Sequence, residues 1–120
     1  MELAILLSTY NGMNYLEEQV SSLLAQTYTD WKLYIRDDAS TDNTLALIHE
    51  LAGRDSRIIV MPSSRNLGAK EGFMWMLRNV EADYYMFCDH DDVWLPRKVE
   101  LTLKRMQEAE AEHSGSPVIA

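Results

Sequence analysis

The chain has 120 residues, enough for one compact domain, and 47% of them are hydrophobic, which excludes a disordered or low-complexity protein. Acidic residues outnumber basic ones by 19 to 11, and the formal charge of -8 argues against a nucleic-acid-binding protein. The same charge raises a question, because an acidic protein that binds a phosphorylated ligand needs a cation between the two.

The first predicted strand, Leu3–Leu7, is almost wholly apolar, as expected of a strand buried on both faces of a sheet. A helix is predicted next, because Asn14 with Glu17 three residues later has the pattern of a capping box, and apolar residues follow at helical spacing. The second predicted strand, Trp31–Arg36, alternates apolar and polar residues. The chain therefore begins as a strand–helix–strand unit.

The second predicted helix starts at a cap formed by Thr41 or Asp42 and stops near Gly53. Ile58–Met61 is the third predicted strand, and a polar loop then leads to a third helix through residues 73–80. This alternation of strand and helix continues the pattern of the first unit.

Tyr84–Cys88 is the fourth predicted strand, and Pro96 suits the first turn of a last helix. Val118–Ala120 has the composition of an opening fifth strand. Alternating strands and helices predict an α/β fold, a mostly parallel sheet with helices on both faces. Right-handed crossovers then bring three polar clusters to one edge of that sheet: Ser8–Asn11, Asp37-Asp38 and Asp89–Asp92.

The one cysteine, Cys88, lies in an apolar run and is predicted to be a buried thiol without a disulfide, which fits a reducing compartment. No signal peptide or apolar run of about 18 residues is recognised, so a cytoplasmic location is expected, including the inner face of the membrane. Peripheral membrane association through segments outside these residues stays open.

Asp89 and Asp91 are one residue apart, so in an extended segment their carboxylates point the same way. Two carboxylates aimed at one point repel each other unless a cation lies between them, and hard oxygen ligands suit Mg²⁺ or Mn²⁺ bound together with substrate phosphates. A metal would answer the question raised by the charge. The alternative is a solvated acidic turn. His90, between the two acids, is expected to point away from them, and Trp94 is expected to pack and hold the acidic loop.

Asp38 follows the second strand, where its carboxylate can accept a hydrogen bond from the N3–H of uracil or thymine. The alternative is a helix cap, a role that Asp42 fits better. Because strand neighbours alternate, only one of Asp37 and Asp38 should face the site. Arg65 and Lys70 could reach a phosphate but are expected to be ordinary surface charges.

Five stretches of the chain, in this order, resemble family 2 glycosyltransferases, and the last most resembles the bacterial rhamnosyltransferase-like branch. They are Leu6–Gly12, Ser22–Tyr28, Arg36–Thr44, Arg65–Gly68 and Cys88–Pro96. The resemblance implies the GT-A fold, a Rossmann-like three-layer arrangement. It also implies inverting transfer of a sugar from a UDP- or dTDP-sugar donor to a glycan, lipid-linked or other hydroxyl acceptor, in polysaccharide or cell-envelope glycan synthesis.

The resemblance also implies the roles of individual residues. The residues expected to bind the nucleotide are Ser8, Thr9, Tyr10, Asn11, Asp38, Asn66 and Asp89. Mn²⁺ or Mg²⁺ is expected at Asp89 and Asp91, with Asp91 the more direct ligand and Asp89 shared between the ribose and the metal.

Residues 1–120 are expected to form only the nucleotide-sugar-binding part of the enzyme, with the acceptor-binding half and the general base beyond Ala120, so that donor binds without turnover. Two alternatives stay open. The first is a haloacid-dehalogenase-like phosphatase with Asp89 as nucleophile and Asp91 as acid/base. The second is a non-catalytic cation-binding module.

Overall fold

The computed structural model describes residues 2–63, 65–89, 92–112 and 118–119. Strands and helices alternate along these residues. They are β1 (Leu3–Thr9), α1 (Leu16–Leu24), β2 (Lys32–Asp37), α2 (Thr44–Arg54), β3 (Ile58–Met61), α3 (Gly68–Asn79), β4 (Tyr84–Cys88), α4 (Lys98–Glu112) and β5 (Val118–Ile119).

The strands form one parallel sheet in the order β3-β2-β1-β4-β5. The central strand, β1, pairs Thr9 with Asp37 of β2 and Leu7 with Cys88 of β4. The segments that follow these three strands therefore leave the sheet side by side. The predicted parallel α/β sheet is confirmed, and the described residues that follow β1, β2 and β4 leave it at the same edge, as predicted.

The central strand is buried on both faces, and each face has its own helices. Ile5 and Leu7 pack in one apolar cluster with residues of α1, α2 and α4. Ala4 and Leu6 point the other way and pack in a second cluster with Met76 of α3. The predicted three-layer arrangement is therefore confirmed, and the alternation along β1 produces it.

Strands β1 and β2 each extend beyond the predicted end. Ser8 and Thr9 are the last residues of β1, where they pair with Arg36 and Asp37 of β2. Backbone pairing depends on a neighbouring strand and not on side-chain polarity, so the polar residues continue the ladder. These side chains are therefore held on the sheet itself.

The predicted capping box at Asn14 is wrong. Asn14 is exposed, α1 begins at Leu16, and no side chain caps it. Instead the carbonyl of Gly12 accepts the N–H groups of Tyr15 at 3.1 Å and Leu16 at 2.8 Å, which starts the helix from a backbone turn. A donor that is already satisfied by the backbone does not need a side-chain cap.

The other helix ends differ less from expectation. Asp42 accepts the N–H of Thr44 at 2.9 Å at the start of α2, although the N-cap position is one residue later, at Asn43, whose side chain makes no cap. Gly53 lies inside α2, which ends at Arg54, and Pro96 precedes α4 by two residues. In the part of the chain that is described, no helix has both the length and the apolar character needed to cross a membrane.

Candidate functional site

A cavity of about 290 Å³ lies at the carboxyl ends of β1 and β2. It is lined by Ser8, Thr9, Tyr10, Tyr15, Asp38 and Ala69, four of which are predicted site residues. The Tyr10 side chain is 48% exposed, so its ring is available to a ligand. The rim of the sheet thus gathers polar groups and an aromatic surface in one concave place, as ligand sites in parallel α/β sheets do.

The Asp38 carboxylate is buried beside this cavity and accepts three hydrogen bonds. Oδ1 accepts from Arg36 Nη1 at 2.6 Å and from Leu67 N at 2.7 Å, and Oδ2 accepts from Gly68 N at 3.0 Å. Burial alone would raise the pKa of Asp38, but these hydrogen bonds outweigh it and hold the pKa below its ordinary value. Asp38 is therefore an anion that also fixes the start of α3.

Arg36 is the cation that accompanies Asp38, and sequence reasoning assigned it no role. Its side chain is 2% exposed, its Nη2 donates to the carbonyl of Arg65 at 2.8 Å, and its guanidinium lies 5.7 Å from the centre of the Trp75 ring. The signal was present in the sequence, because an arginine two positions before Asp38 in a strand projects to the same side. Arg36 thus links the end of β2 to the segment before α3.

The segments after β1 and β2 are joined by direct hydrogen bonds. Ser40 Oγ accepts from Asn11 N at 2.8 Å, and Asn11 Oδ1 accepts from Thr41 N at 2.8 Å. Asn11 and Ala39 both have positive φ, 49° and 60°, a region that side chains other than glycine occupy at a cost. The contacts hold both residues in place, so this part of the rim is preformed.

Helix α3 approaches the same rim closely because residue 72 has no side chain. A Cβ atom at Gly72 would lie 3.0 Å from Ser8 Oγ and 3.4 Å from Arg36 Nη1.

Asn66, a predicted nucleotide-binding residue, donates from Nδ2 to the backbone carbonyl of Asp38 at 3.1 Å. The predicted alternation of Asp37 and Asp38 is confirmed, since Asp37 lines a different cavity and accepts from Ser40 N at 3.1 Å.

The third polar segment, the β4–α4 loop (residues 89–97), begins beside β1. Asp89 is exposed directly after Cys88, whose partner in the sheet is Leu7. Asp91 and His90, for which metal-ligand and outward-facing positions were predicted, lie outside the described residues. Among the residues that are described, no group of three acidic, histidine or cysteine side chains is arranged to hold a metal.

The predicted packing role of Trp94 is confirmed. Its side chain is 4% exposed, its Nε1 donates to Asp92 Oδ2 at 3.2 Å, and Lys98 Nζ lies 4.5 Å from its ring centre. These contacts occupy one Asp92 oxygen and tie the loop to the start of α4.

Arg65 and Lys70 are exposed, as expected of ordinary surface charges.

Comparison with known proteins gives a match over nearly the whole chain. The sequence model described as "Glycosyl transferase family 2" matches residues 4–118. The dTDP-rhamnosyl transferase RfbG of Shigella flexneri is 34% identical over 119 residues, covering 95% of this chain and 41% of the relative. The UDP-Glc:alpha-D-GlcNAc-diphosphoundecaprenol beta-1,3-glucosyltransferase WfgD of Escherichia coli is 32% identical, covering 86% of this chain and 40% of the relative.

A solved structure shares the fold. The mannosyltransferase PcManGT from Pyrobaculum calidifontis, in complex with GDP-Man and Mn²⁺, superposes with a TM-score of 0.77 at 21% identity, over 92% of this chain and 32% of that one. The fold is thus that of GT-A enzymes, as predicted. The chain spans about two fifths of the length of the curated relatives it matches.

Proposed function

Because this chain belongs to glycosyl transferase family 2, we propose that residues 1–120 are the donor-binding part of an inverting glycosyltransferase. The donor is a UDP- or dTDP-sugar, and the product is a polysaccharide or cell-envelope glycan. The names of the two relatives support the donor class, since one is a dTDP-rhamnosyl transferase and the other uses UDP-Glc. Membership of this family argues against the phosphatase alternative.

The observation that carries this proposal is the state of the Asp38 carboxylate beside the cavity. A carboxylate offers about four acceptor positions, and within the described residues three of those on Asp38 are occupied. One position remains for a single N–H donor, which uracil and thymine present at N3 and cytosine does not. The exposed Tyr10 ring would stack on the base, and the rim residues Ser8, Thr9, Asn11 and Asn66 would surround the base and ribose.

A divalent ion fits this rim, because Asp89 places an exposed, hard carboxylate ligand beside it. We assign Mn²⁺ or Mg²⁺ to Asp89 and Asp91, with Asp89 also reaching the ribose. When bound, the ion would neutralise the diphosphate as it leaves the sugar. PcManGT, which shares the fold, was solved in complex with GDP-Man and Mn²⁺, and this supports the assignment.

The acceptor hydroxyl must lose a proton as it attacks the anomeric carbon, and no residue in this chain is assigned to take it. We expect the base and the acceptor site outside these 120 residues, so that this chain binds donor without transferring sugar. A glycan or lipid-linked acceptor fits the name of the Escherichia coli relative. A lipid-linked acceptor would bring the enzyme to the cytoplasmic face of the membrane.

The base assignment is tested by calorimetry with UDP, dTDP and CDP in the presence of Mn²⁺. UDP and CDP have the same ribose and diphosphate, so their difference isolates the base edge. We expect UDP to bind about tenfold or more tightly than CDP, since one buried unpaired acceptor costs roughly 1–3 kcal/mol. Asp38→Asn should abolish this preference, and an unaltered preference in that variant would remove Asp38 from the base site.

The metal assignment is tested by repeating the UDP titration without Mn²⁺ and with the variant Asp91→Ala. The variant should keep the fold and lose the metal-dependent part of UDP affinity. Asp30→Ala is the matched control, because Asp30 is exposed just before β2, at the opposite end of the strands. Metal binding without any nucleotide affinity would instead support a cation-binding module.

A further inference from the structure

A stripe of polar side chains runs along α1 and the turn that follows it. Gln19, Ser22 and Gln26 are separated by three and four residues, a spacing that aligns side chains on one side of a helix. Gln19 and Gln26 are buried and Ser22 is half-buried. Such a stripe interrupts an otherwise apolar helix face, so its contacts need a specific explanation.

All three side chains contact the β4–α4 loop or the residues that flank it. Gln19 Nε2 donates to the backbone carbonyl of Asp89 and to Cys88 Sγ, the latter at 3.4 Å. Ser22 Oγ accepts from Trp94 N at 3.1 Å. Gln26 bonds further along, where Nε2 donates to the carbonyl of Leu95 at 2.8 Å and Oε1 accepts from Val99 N at 2.9 Å. The loop is thus held to α1 on both sides of residues 90–91.

Gln19 makes the contact to Asp89, and within the described residues only part of its amide is hydrogen-bonded. Its side chain is fully buried, and within the described residues Oε1 has no hydrogen-bond partner. A buried carbonyl oxygen without a partner destabilises the fold relative to an apolar group of similar size. What the residue supplies is therefore its Nε2 donor, which fixes the backbone of Asp89 and so the origin of that carboxylate.

We propose that Gln19 is a positioning residue for the end of the site that holds the metal and the diphosphate, with Ser22 supporting the same loop. The inference rests on the proposed function. The nucleoside end is built separately, from β1, β2 and the start of α3. Loss of the Gln19 donor would therefore loosen the Asp89 carboxylate while leaving the contacts to the base in place.

The experiment measures UDP affinity with and without Mn²⁺, and uridine affinity, for this chain and for Gln19→Met. Methionine has nearly the shape of glutamine but no donor. Removing an outer contact to a metal ligand typically lowers metal affinity about 10–100-fold. We expect the Mn²⁺-dependent gain in UDP affinity to fall about tenfold in Gln19→Met, while uridine, which has no phosphate and keeps its base contacts, loses less than about threefold through its ribose contact to Asp89.

Ser22→Ala and Ser21→Ala are a matched pair in case the core variant is too unstable to measure. Ser21 is exposed on the same helix, one residue away. Ser22→Ala should reduce the Mn²⁺-dependent gain about threefold by releasing the N–H of Trp94, and Ser21→Ala should leave it as in the parent.

The outcomes separate the two proposals. A parent chain whose UDP affinity does not respond to Mn²⁺ would refute the metal part of the proposed function. If the parent responds, an unchanged gain in Gln19→Met, or equal losses for UDP and uridine, would overturn the role of Gln19 alone. Equal behaviour of Ser22→Ala and Ser21→Ala would do the same for the role of Ser22.

Discussion

Arg36 and Asp38 form an ion pair that is almost completely removed from water, with side-chain exposures of 2% and 6%. Removing one member of such a pair leaves a buried charge without its partner, which typically costs about 3–5 kcal/mol. We expect Arg36→Met to lower the free energy of unfolding by about 3 kcal/mol, as measured by urea denaturation. Arg54→Met is the control, because the Arg54–Glu50 pair is exposed and should contribute little.

The pH dependence of stability gives a second readout of this pair. The folded pKa of Asp38 lies below its ordinary value of 3.8, so its stabilising contribution is complete above 3.8 and is lost as the pH falls through the folded value. Without Arg36 the folded pKa should rise, and stability should begin to fall at a higher pH. Identical acid profiles for the parent and Arg36→Met would show that the guanidinium does not sustain the charge.

Cys88 should be inert in the folded chain. Burial, with a smaller effect of Asp92, raises the pKa of its thiol from 9.0 to about 12, so the reactive thiolate is absent near neutral pH. We expect negligible reaction with Ellman's reagent at about pH 8 until denaturant is added. The unfolded thiol ionises above 9.0 and the folded one does not, so the thiol should also cost stability as the pH rises from 9.0 towards 12.

For single residues, the sequence predicts whether a side chain lies at the rim or in the core better than it predicts its hydrogen-bond partners. Asp38 and Cys88 follow or end predicted strands, so the rim position of Asp38 and the burial of Cys88 were derivable. The donors that occupy Asp38 were not, because Leu67 and Gly68 lie about thirty residues away and reach it only through the path of a loop. Gln19 was passed over for the same reason, since its partner Asp89 is distant in sequence.

Two glycines in helices should respond in opposite ways to substitution by alanine. Gly68 starts α3 with φ of 80°, which an L side chain adopts only with strain, and its N–H bonds to Asp38. Gly53 lies inside α2 with open space around it. We expect Gly68→Ala to lower the melting temperature, at a cost of about 1 kcal/mol or more.

Gly53→Ala should raise the melting temperature, because alanine restricts the unfolded chain and favours helix, although its place near the helix end limits the gain to about 0.5 kcal/mol. Because both variants replace glycine by alanine, comparing them separates the effect of the backbone position from the effect of the added methyl group. A decrease of similar size in both variants would mean that the positive φ of Gly68 is not what constrains the residue.

Among the elements, the strands followed from apolar runs and the helices from periodicity, but their ends did not. A helix start needs its free N–H groups satisfied, and the sequence does not reveal whether a side chain or a backbone turn does so. At α1 the Gly12 carbonyl fills that need and Asn14 stays exposed, whereas at α2 the predicted Asp42 does accept an N–H. Strand β1 ends at Thr9 and β2 ends at Asp37, and these two residues pair with each other. The end of each strand therefore depends on its register with the neighbouring strand, which the sequence does not show.

The charge of the whole molecule makes a prediction that is independent of any one residue. With a formal charge of -8, the chain repels a nucleoside diphosphate unless a cation is present. Without metal, raising NaCl from about 0.05 to about 0.3 M should screen this repulsion and modestly tighten UDP binding. With Mn²⁺ present, the same increase in NaCl should weaken UDP binding, because salt screens the attraction between the ion and the diphosphate. Metal-free binding that weakens with salt would show that side-chain cations hold the diphosphate.

The order of the strands also bears on how the chain reaches its native state. The central strand joins β4 through pairs such as Leu3 with Tyr84, which lie far apart along the chain. Such distant contacts form late, whereas helices form locally and fast. After dilution from denaturant, far-ultraviolet circular dichroism should therefore recover before ligand affinity does. The rim proposed to bind the nucleotide needs both β1 and β4, which are far apart along the chain, so it should be among the last parts of the molecule to form.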